Sequence, residues 1–466
     1  MKLIAAACLL WAIWANALTS AETPDPTLKF DEEVMAFRGD GTGRFPDAQP
    51  PTRWSPTENI LWKTPLPPSN SSPIIVGERI FVAGEPDKLF CLDLRDGRIL
   101  WERSNPFDEL LTPERKAQMA QAKKKEQAVR EKLGPLYKEQ EKLAKQLESD
   151  PNNPDLAQAK LNIDSQVSPL ERELNDLAQP VGPRTDPTTG YSTPTPVSDG
   201  RHVWAHFGTG VVACYDLAGR RQWIRIVDDA RNSQGHAASP RLADGVLVVH
   251  LSDVVGLDPA RGAELWRTKS VPHWGTPGVA QAGAEPLIVT TNAEFIRARD
   301  GVKISDKIFE ELFSSPVVQA GKVYFVARHG GIAFEVPASA QSKIKPKVLT
   351  RLEPRKIRCF SSPIIQDGLA YTISETQELS VIDLATGRDV YRRKLEMPKG
   401  IPFSSLTAAG DYIYACNDDG ACVIFAPGRE YKEVARNQLE PIRSCPVFFR
   451  TRMYFRGLRH LYCVGK

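Results

Sequence analysis

The stretch from Ser361 to Tyr391, SSPIIQDGLAYTISETQELSVIDLATGRDVY, decides the fold. It reads as a short apolar strand (PIIQ), a turn, a β-rich strand, a second turn, and a strand that ends at Asp383. Short apolar runs separated by Gly, Asp and Thr turns point to strands rather than helices. Beyond Asp383 come Gly387 and the aromatic Tyr391. Asp can hydrogen-bond the backbone of its own turn, Gly can take the left-handed conformation, and an aromatic on an outer strand can bury a large flat area against a neighbour.

The same order recurs along the chain. Units open at Ser71-Ser72-Pro73, Ser192-Thr193-Pro194, Ala238-Ser239-Pro240, Gly275-Thr276-Pro277, Ser314-Ser315-Pro316, Ser361-Ser362-Pro363, Ser404-Ser405-Leu406 and Ser444-Cys445-Pro446. Apart from one long gap between the first two, the spacing is about forty residues, the period of a four-stranded propeller blade. The Asp, Gly and aromatic return at Asp93, Gly97 and Trp101 and at Asp258, Gly262 and Trp266, and one residue closer at Asp216, Gly219 and Trp223. The last unit stops at Lys466 without an outer aromatic strand, whereas residues 58–66 (ENILWKTPL) look like an outer strand without a blade. The expected fold is therefore an all-β, eight-bladed propeller with four-stranded blades, closed by the N-terminal strand that carries Trp62, so that two sheet edges disappear.

These units resemble the pyrroloquinoline-quinone-type repeats of quinoprotein propellers, over residues 58–107 and 183–466. The resemblance implies the architecture more strongly than an activity, because such repeats occur both in quinone-dependent dehydrogenases and in cofactor-free proteins such as the propeller lipoprotein of the outer-membrane assembly machinery. The dehydrogenases of this fold use adjacent cysteines, a calcium-binding Glu/Asn/Asp set, a Trp under the quinone and an Asp base. This chain has no adjacent cysteine pair, and no acidic set falls on matching positions, so no family catalytic residue is carried over. The lead-in FRGDGTGRF resembles the segment before many such propellers, and Arg38-Gly39-Asp40 within it reads as a turn rather than an adhesion motif.

Residues 108–182 break the pattern, with many Lys, Glu, Gln, Ala and Leu and no Trp or Cys. Leu156, Ala159, Ile163, Val167, Leu170, Leu174 and Leu177 step by threes and fours, which predicts a helix near 155–178. The turn at 151–154 separates it from 113–149, where Gly134-Pro135 is expected to kink or split the helix. Residues 114–147 carry ten Lys/Arg and five Asp/Glu, and 148–176 carry two and seven. Opposite charge favours antiparallel pairing, hence an inserted helical hairpin of coiled-coil character, either a solvated arm or a partner-binding one.

Residues 1–21 read as a secretory signal: Lys2, an apolar run from Leu3 to Trp14, then small residues, with cleavage after Ala17 or Ala21. Residues 22–57 form the lead-in. A periplasmic or secreted location follows, and no later apolar stretch approaches membrane length. Seven cysteines remain after signal removal, an odd number. Cys91, Cys214, Cys422 and Cys463 lie in strand-like runs as small core residues, while Cys416 and Cys422 flank a turn and can face each other for a disulfide. A net charge of +3 on 466 residues gives no reason to expect a nucleic-acid partner.

In a propeller the opening strands line the channel, so residues just before each Pro should ring one mouth. Three before that Pro stand Asn70, Tyr191, Ala237, Trp274, Phe313, Phe360, Phe403 and Arg443, where the seventh unit has Leu406 in place of Pro. Five of the eight are aromatic, and His236, His273 and Arg358 lie beside them. Such a mouth is an aromatic funnel with cationic tips, suited to sugars, peptide side chains or a planar anion; alternatively the rings plug the channel or pack between blades. The expected function is non-catalytic binding or scaffolding, with no cofactor or metal and an envelope or extracellular protein or carbohydrate as partner. The alternative is a quinone-dependent oxidoreductase with pyrroloquinoline quinone (PQQ) and Ca²⁺, acting on alcohols or sugars.

Overall fold

Each repeat folds as a meander because its turns are chemically specified. In the first unit the strands Ile74–Val76, Arg79–Gly84, Lys88–Asp93 and Ile99–Ser104 pair antiparallel in chain order. Asp93 closes the last turn by accepting the Arg95 N–H at 2.8 Å, and Gly97 takes a φ of +72°. The computed structural model describes residues 33–466 except 229, 231, 233, 272–273, 310–312, 328–329, 342 and 354–356. The expected signal segment and residues 22–32 of the lead-in therefore lie outside the described residues.

Eight sheets result. Six have four strands, and in the last of these Ile60–Pro65 pairs antiparallel with His460–Val464, so the predicted closing strand is in place. Two sheets depart from four strands. The fourth has three, Gly278–Ala282, Glu285–Val289 and Phe295–Arg297, and only an isolated Ile296–Lys303 bridge stands where an outer strand would run. Four residues past Gly301 this unit has Ser305 instead of an aromatic, and the Ser305 hydroxyl accepts the Phe295 N–H at 2.9 Å. The seventh sheet gains a fifth strand, Arg44–Phe45, parallel to Thr407–Ala409.

The sheets are arranged in a propeller-like ring. In seven of the eight units the residue before the opening Pro, or before Leu406, presents a hydroxyl that accepts a backbone N–H from the preceding unit: Ser72 to Thr195, Thr195 to Ser239, Ser239 to Thr276, Thr276 to Ser315, Ser315 to Ser362, and Ser362 to Ser405, at 2.9–3.1 Å. The Cys445 N–H returns to the Ser72 hydroxyl at 3.0 Å and joins the last unit to the first, so that seven of the eight junctions carry this bond among the described residues. This pattern corrects the second unit's start. Thr195-Pro196, not Thr193-Pro194, occupies the ring position, because only Thr195 reaches both neighbours.

The outer aromatics also act between units. Trp101 donates its indole N–H to Leu217 O, Trp223 to Pro259 O and Trp266 to Ala298 O, each reaching the following unit. A Cβ on Gly219 would stand 2.7 Å from the Trp101 ring, and one on Gly262 2.6 Å from Trp223. Glycine there serves both the left-handed turn and the close seat for the neighbour's indole. Between the sheets, side chains such as Ile74, Phe81, Leu89 and Val203 are wholly buried, each contributing about 1.5–3 kcal/mol by leaving water.

The lead-in runs beneath the ring. Val34 bridges Ile75, Met35 O accepts the Ser198 N–H, and Phe37 O accepts from Arg241 at 3.2 Å. Arg38, only 1% exposed, donates Nη2 to the carbonyls of Pro363 (2.8 Å) and Leu406 (2.9 Å). The Arg-Gly-Asp tripeptide is thus an internal fastening, with its arginine inaccessible.

The insertion is a hairpin of two helices, α1 (Pro113–Ser149) and α2 (Pro154–Val181). The Thr112 hydroxyl caps α1 by accepting the Arg115 N–H, and the Asn153 side chain accepts the N–H groups of Asp155 and Leu156. Val129, Leu133 and Val167 are buried in the seam, flanked by Leu136, Ile163, Leu170 and Leu174. Two sequence expectations are corrected. Helix α1 is unbroken through Pro135, since a preceding Gly lacks the Cβ that clashes with a proline ring, and α2 supports this level of α1 through Leu133 and Leu136. Opposite charge does not join the arms directly: among the described residues the helical ion pairs lie within one helix, apart from Glu126 with Arg184 at 3.0 Å, and the interhelical polar contacts are Tyr137–Glu171 and Gln140–Asp164.

Candidate functional site: the channel mouth

Where the opening strands converge, a cavity of about 400 Å³ opens on the axis. The units that build it are not equivalent. Trp274, Phe313, Phe360 and Phe403 come from four consecutive units, and their rings touch in series. Trp274 and Phe313 are stacked at 5.2 Å with planes 27° apart, Phe313 meets Phe360 edge-on at 4.7 Å, and Phe360 lies 4.8 Å from Phe403. Arg358 covers Phe360 at 5.4 Å and Arg443 covers Phe403 at 5.6 Å. One side of the mouth is therefore an aromatic arc with a guanidinium over each of its last two rings.

The opposite side is polar and comes from the loop that leaves the hairpin. Asp186, Thr188 and Thr189 line the cavity together with Asn70 and Thr193. Asn70 donates to Thr188 O and Thr189 O, Arg443 donates to Thr188 O at 3.1 Å, and Asp186 is spent on the N–H groups of Thr188 and Thr189. Each rim arginine has a carboxylate beside it: Arg358 pairs with Glu375 at 2.9 Å, and Arg443 stands 3.8 Å from Asp418. Beneath the rim lies the hydroxyl ring, with Cys445 in the eighth place and Phe37 of the lead-in also lining the cavity.

Of the residues singled out from sequence, Trp274, Phe313, Arg358, Phe360, Phe403 and Arg443 line this cavity. Tyr191 does not: the shifted start of the second unit puts Thr193 at the mouth, and the Tyr191 hydroxyl donates to Pro183 O. Four of the eight positions are thus aromatic, not five. His236 is also absent from the lining. It is buried, accepts the Asn232 N–H at 3.2 Å, and its pKa is pushed down to about 4 by burial. His273 lies outside the described residues. Sequence reasoning missed the hydroxyl ring and Phe37, although a Ser or Thr before nearly every opening Pro was the available signal for the ring.

Fold and mouth together define the class: a β-propeller of PQQ-like repeats. Residues 250–444, less than half of the chain, match the family described as outer membrane protein assembly factor BamB. No curated protein matches the chain. Among solved structures, the quinohemoprotein alcohol dehydrogenase from Comamonas testosteroni aligns at a TM-score of 0.56 with 9% identity, over 93% of this chain and 81% of its own. A europium-containing methanol dehydrogenase aligns at 0.56 with 11% identity, over 91% and 89%. BamB from Moraxella catarrhalis aligns at 0.47 with 13% identity, over 58% and 82%. At such identities the likeness is one of fold. Among the described residues no helix is long and apolar enough to cross a membrane.

Proposed function

We propose that this eight-bladed propeller is a non-catalytic binding or scaffold protein of the cell envelope or extracellular space, and that its recognition surface is the channel mouth with the helical hairpin beside it. The observation that carries this reading is the composition of the mouth. Four contiguous aromatic rings offer apolar area, while Asn70, Asp186 and Arg443 on the rim are engaged in holding the facing loop in shape. Rigid, preorganised aromatic surface is what a recognition site needs. The match to a family of assembly factors supports the same reading.

The residues described here do not fit a calcium-bound quinone. Among the described residues the cavity lining contains a single carboxylate, Asp186, whose Oδ1 already accepts two backbone N–H groups, and no three described His, Cys, Asp or Glu side chains are grouped to hold a metal ion. Trp274 alone would offer a stacking face.

The test is a cross-linking pull-down from envelope extracts, comparing the intact chain with a Trp274→Ala/Phe360→Ala variant, alongside a titration with PQQ and Ca²⁺. The expected result is a discrete partner lost in the variant, with no retained quinone absorbance. Saturable quinone retention with dye-linked alcohol or sugar oxidation would overturn the proposal.

A further inference from the structure

The hydroxyl ring has a property that its structural role leaves unused. A serine or threonine hydroxyl has one donor and two acceptor sites. In Ser72, Thr195, Ser239 and their four counterparts the oxygen accepts one backbone N–H, and the O–H proton has no acceptor among the described residues. All seven side chains line the same cavity and are at most 6% exposed. Seven buried donors thus surround one axial space.

The acceptors nearest the ring are already taken. Arg38 consumes the carbonyls of Pro363 and Leu406, the residues that directly follow ring members Ser362 and Ser405. Arg241, 6% exposed, consumes the carbonyl of Pro277, which follows Thr276, at 2.9 Å. Arg38 of the lead-in and Arg241 of the third unit's opening strand therefore place two buried guanidinium groups against the carbonyls one residue past the ring, and both remain cationic at neutral pH, because burial lowers them only to about 10. Nε and Nη1 of Arg38 have no hydrogen-bond partner. Among the described residues, the carboxylates near this channel include Asp40, which is exposed and bonded to Thr42, and Asp186, Glu375 and Asp418 at the rim, each engaged with a backbone or arginine partner. Each ring hydroxyl thus keeps a donor and one lone pair, and the two buried guanidinium groups beside the ring give the axial space its positive sign.

A ligand that uses the free O–H donors, the positive charge and the aromatic arc together brings acceptors and negative charge at one end and an apolar face along one side. We infer that the mouth takes an aromatic carboxylate, with its ring on the Trp274–Phe403 arc and its carboxylate turned down to the hydroxyl ring. This inference rests on the mouth being the recognition site. The carboxylate can belong to a free aromatic acid or to the C-terminus of a protein that ends in an aromatic residue, and the chemistry at the site is the same.

Calorimetric titration of the full chain with 2-naphthoate and with the isosteric neutral 2-naphthamide tests it. The acid is expected to bind about tenfold or more tightly than the amide, as charge-assisted hydrogen bonds are the stronger kind. A Ser315→Ala/Ser362→Ala variant should lose most of that preference while keeping its affinity for the amide. If that variant fails to fold, the wild-type acid-to-amide ratio decides alone. Equal affinities, or no binding of the acid, overturn the inference. A short peptide ending in phenylalanine, with its carboxylate free or amidated, separates the two sources: preference for the free peptide assigns the site to a protein terminus, and preference confined to naphthoate assigns it to a small acid. The Trp274→Ala/Phe360→Ala variant keeps the two claims apart. If it loses both naphthalene ligands while acid and amide bind the wild type equally, the mouth stands and the anion inference falls. If it binds both like the wild type, the mouth itself is wrong.

Discussion

The ring and the hairpin are built from the same chain but hold together differently. Each sheet of the ring is packed on both flanks, through side chains such as Ile74 and Phe81, through indoles seated on the next unit's glycine, and through hydroxyls that join neighbouring units at seven of the eight junctions. The hairpin has one seam: Val129, Leu133 and Val167 are covered, while the outer faces of α1 and α2 stay in water. A closed ring transmits the loss of any member to its neighbours. An arm anchored at its base through Glu126–Arg184 does not.

This contrast can be broken most forcefully in the ring. Trp223→Ala removes an indole that is 8% exposed, together with its bond to Pro259 O. A loss of about 3–5 kcal/mol in denaturant unfolding is expected. A loss under about 1 kcal/mol would show that the interfaces between units do not carry the ring.

Acid should act next, and on the ring alone. Burial pushes the pKa of His206 down to about 3 and of His236 to about 4, below the ordinary imidazole value. The unfolded chain takes up protons as pH falls through about 6.5 while the native chain stays neutral, so stability is full above that pH and declines below it. Two such histidines cost about 2 kcal/mol between pH 6.5 and 5.5. Thermal melts across that window should show the decline, and His206→Phe with His236→Gln should flatten it.

A smaller effect is expected in the arm. Thr112→Ala removes the α1 cap and should cost the hairpin about 1 kcal/mol, read as faster amide exchange in the first turns of α1 with unchanged exchange in the sheets. Smallest of all, replacing residues 113–181 by a short Gly/Ser bridge should leave the β-rich circular dichroism and the main melting transition nearly unchanged. A large drop in that transition would mean that ring and arm fold as one.

Much of this contrast was legible before any coordinates, and the reason is local. The Asp, Gly and aromatic of each unit specify a turn and an outer strand within a dozen residues, and the heptad-like steps from Leu156 to Leu177 specify an apolar helical stripe. The unpaired strand around Trp62 and the truncated last unit needed only each other, and they meet in the eighth sheet. The errors arose where a choice is made between units. Ser192-Thr193-Pro194-Thr195-Pro196 offers two starts two residues apart, both with the same alternation of faces, and only the hydrogen bonds from Ser72 and to Ser239 choose between them. That choice moved Tyr191 out of the mouth. The intact helix at Gly134-Pro135 and the apolar rather than ionic joining of α1 to α2 were likewise decided by the partner helix.

Unit number, turn chemistry, the closing strand and the helical insertion follow from the sequence, because each depends on residues close together in the chain or on a pattern that repeats. The cavity depends on residues from opposite ends of the chain meeting on one axis. Arg38 reaches Pro363 and Leu406, and Asn70 and Arg443 both hold the loop that follows the hairpin. Such meetings are set by how eight sheets close around a common centre, and so the donor ring, its buried guanidinium groups and the two-sided mouth are properties of the tertiary structure.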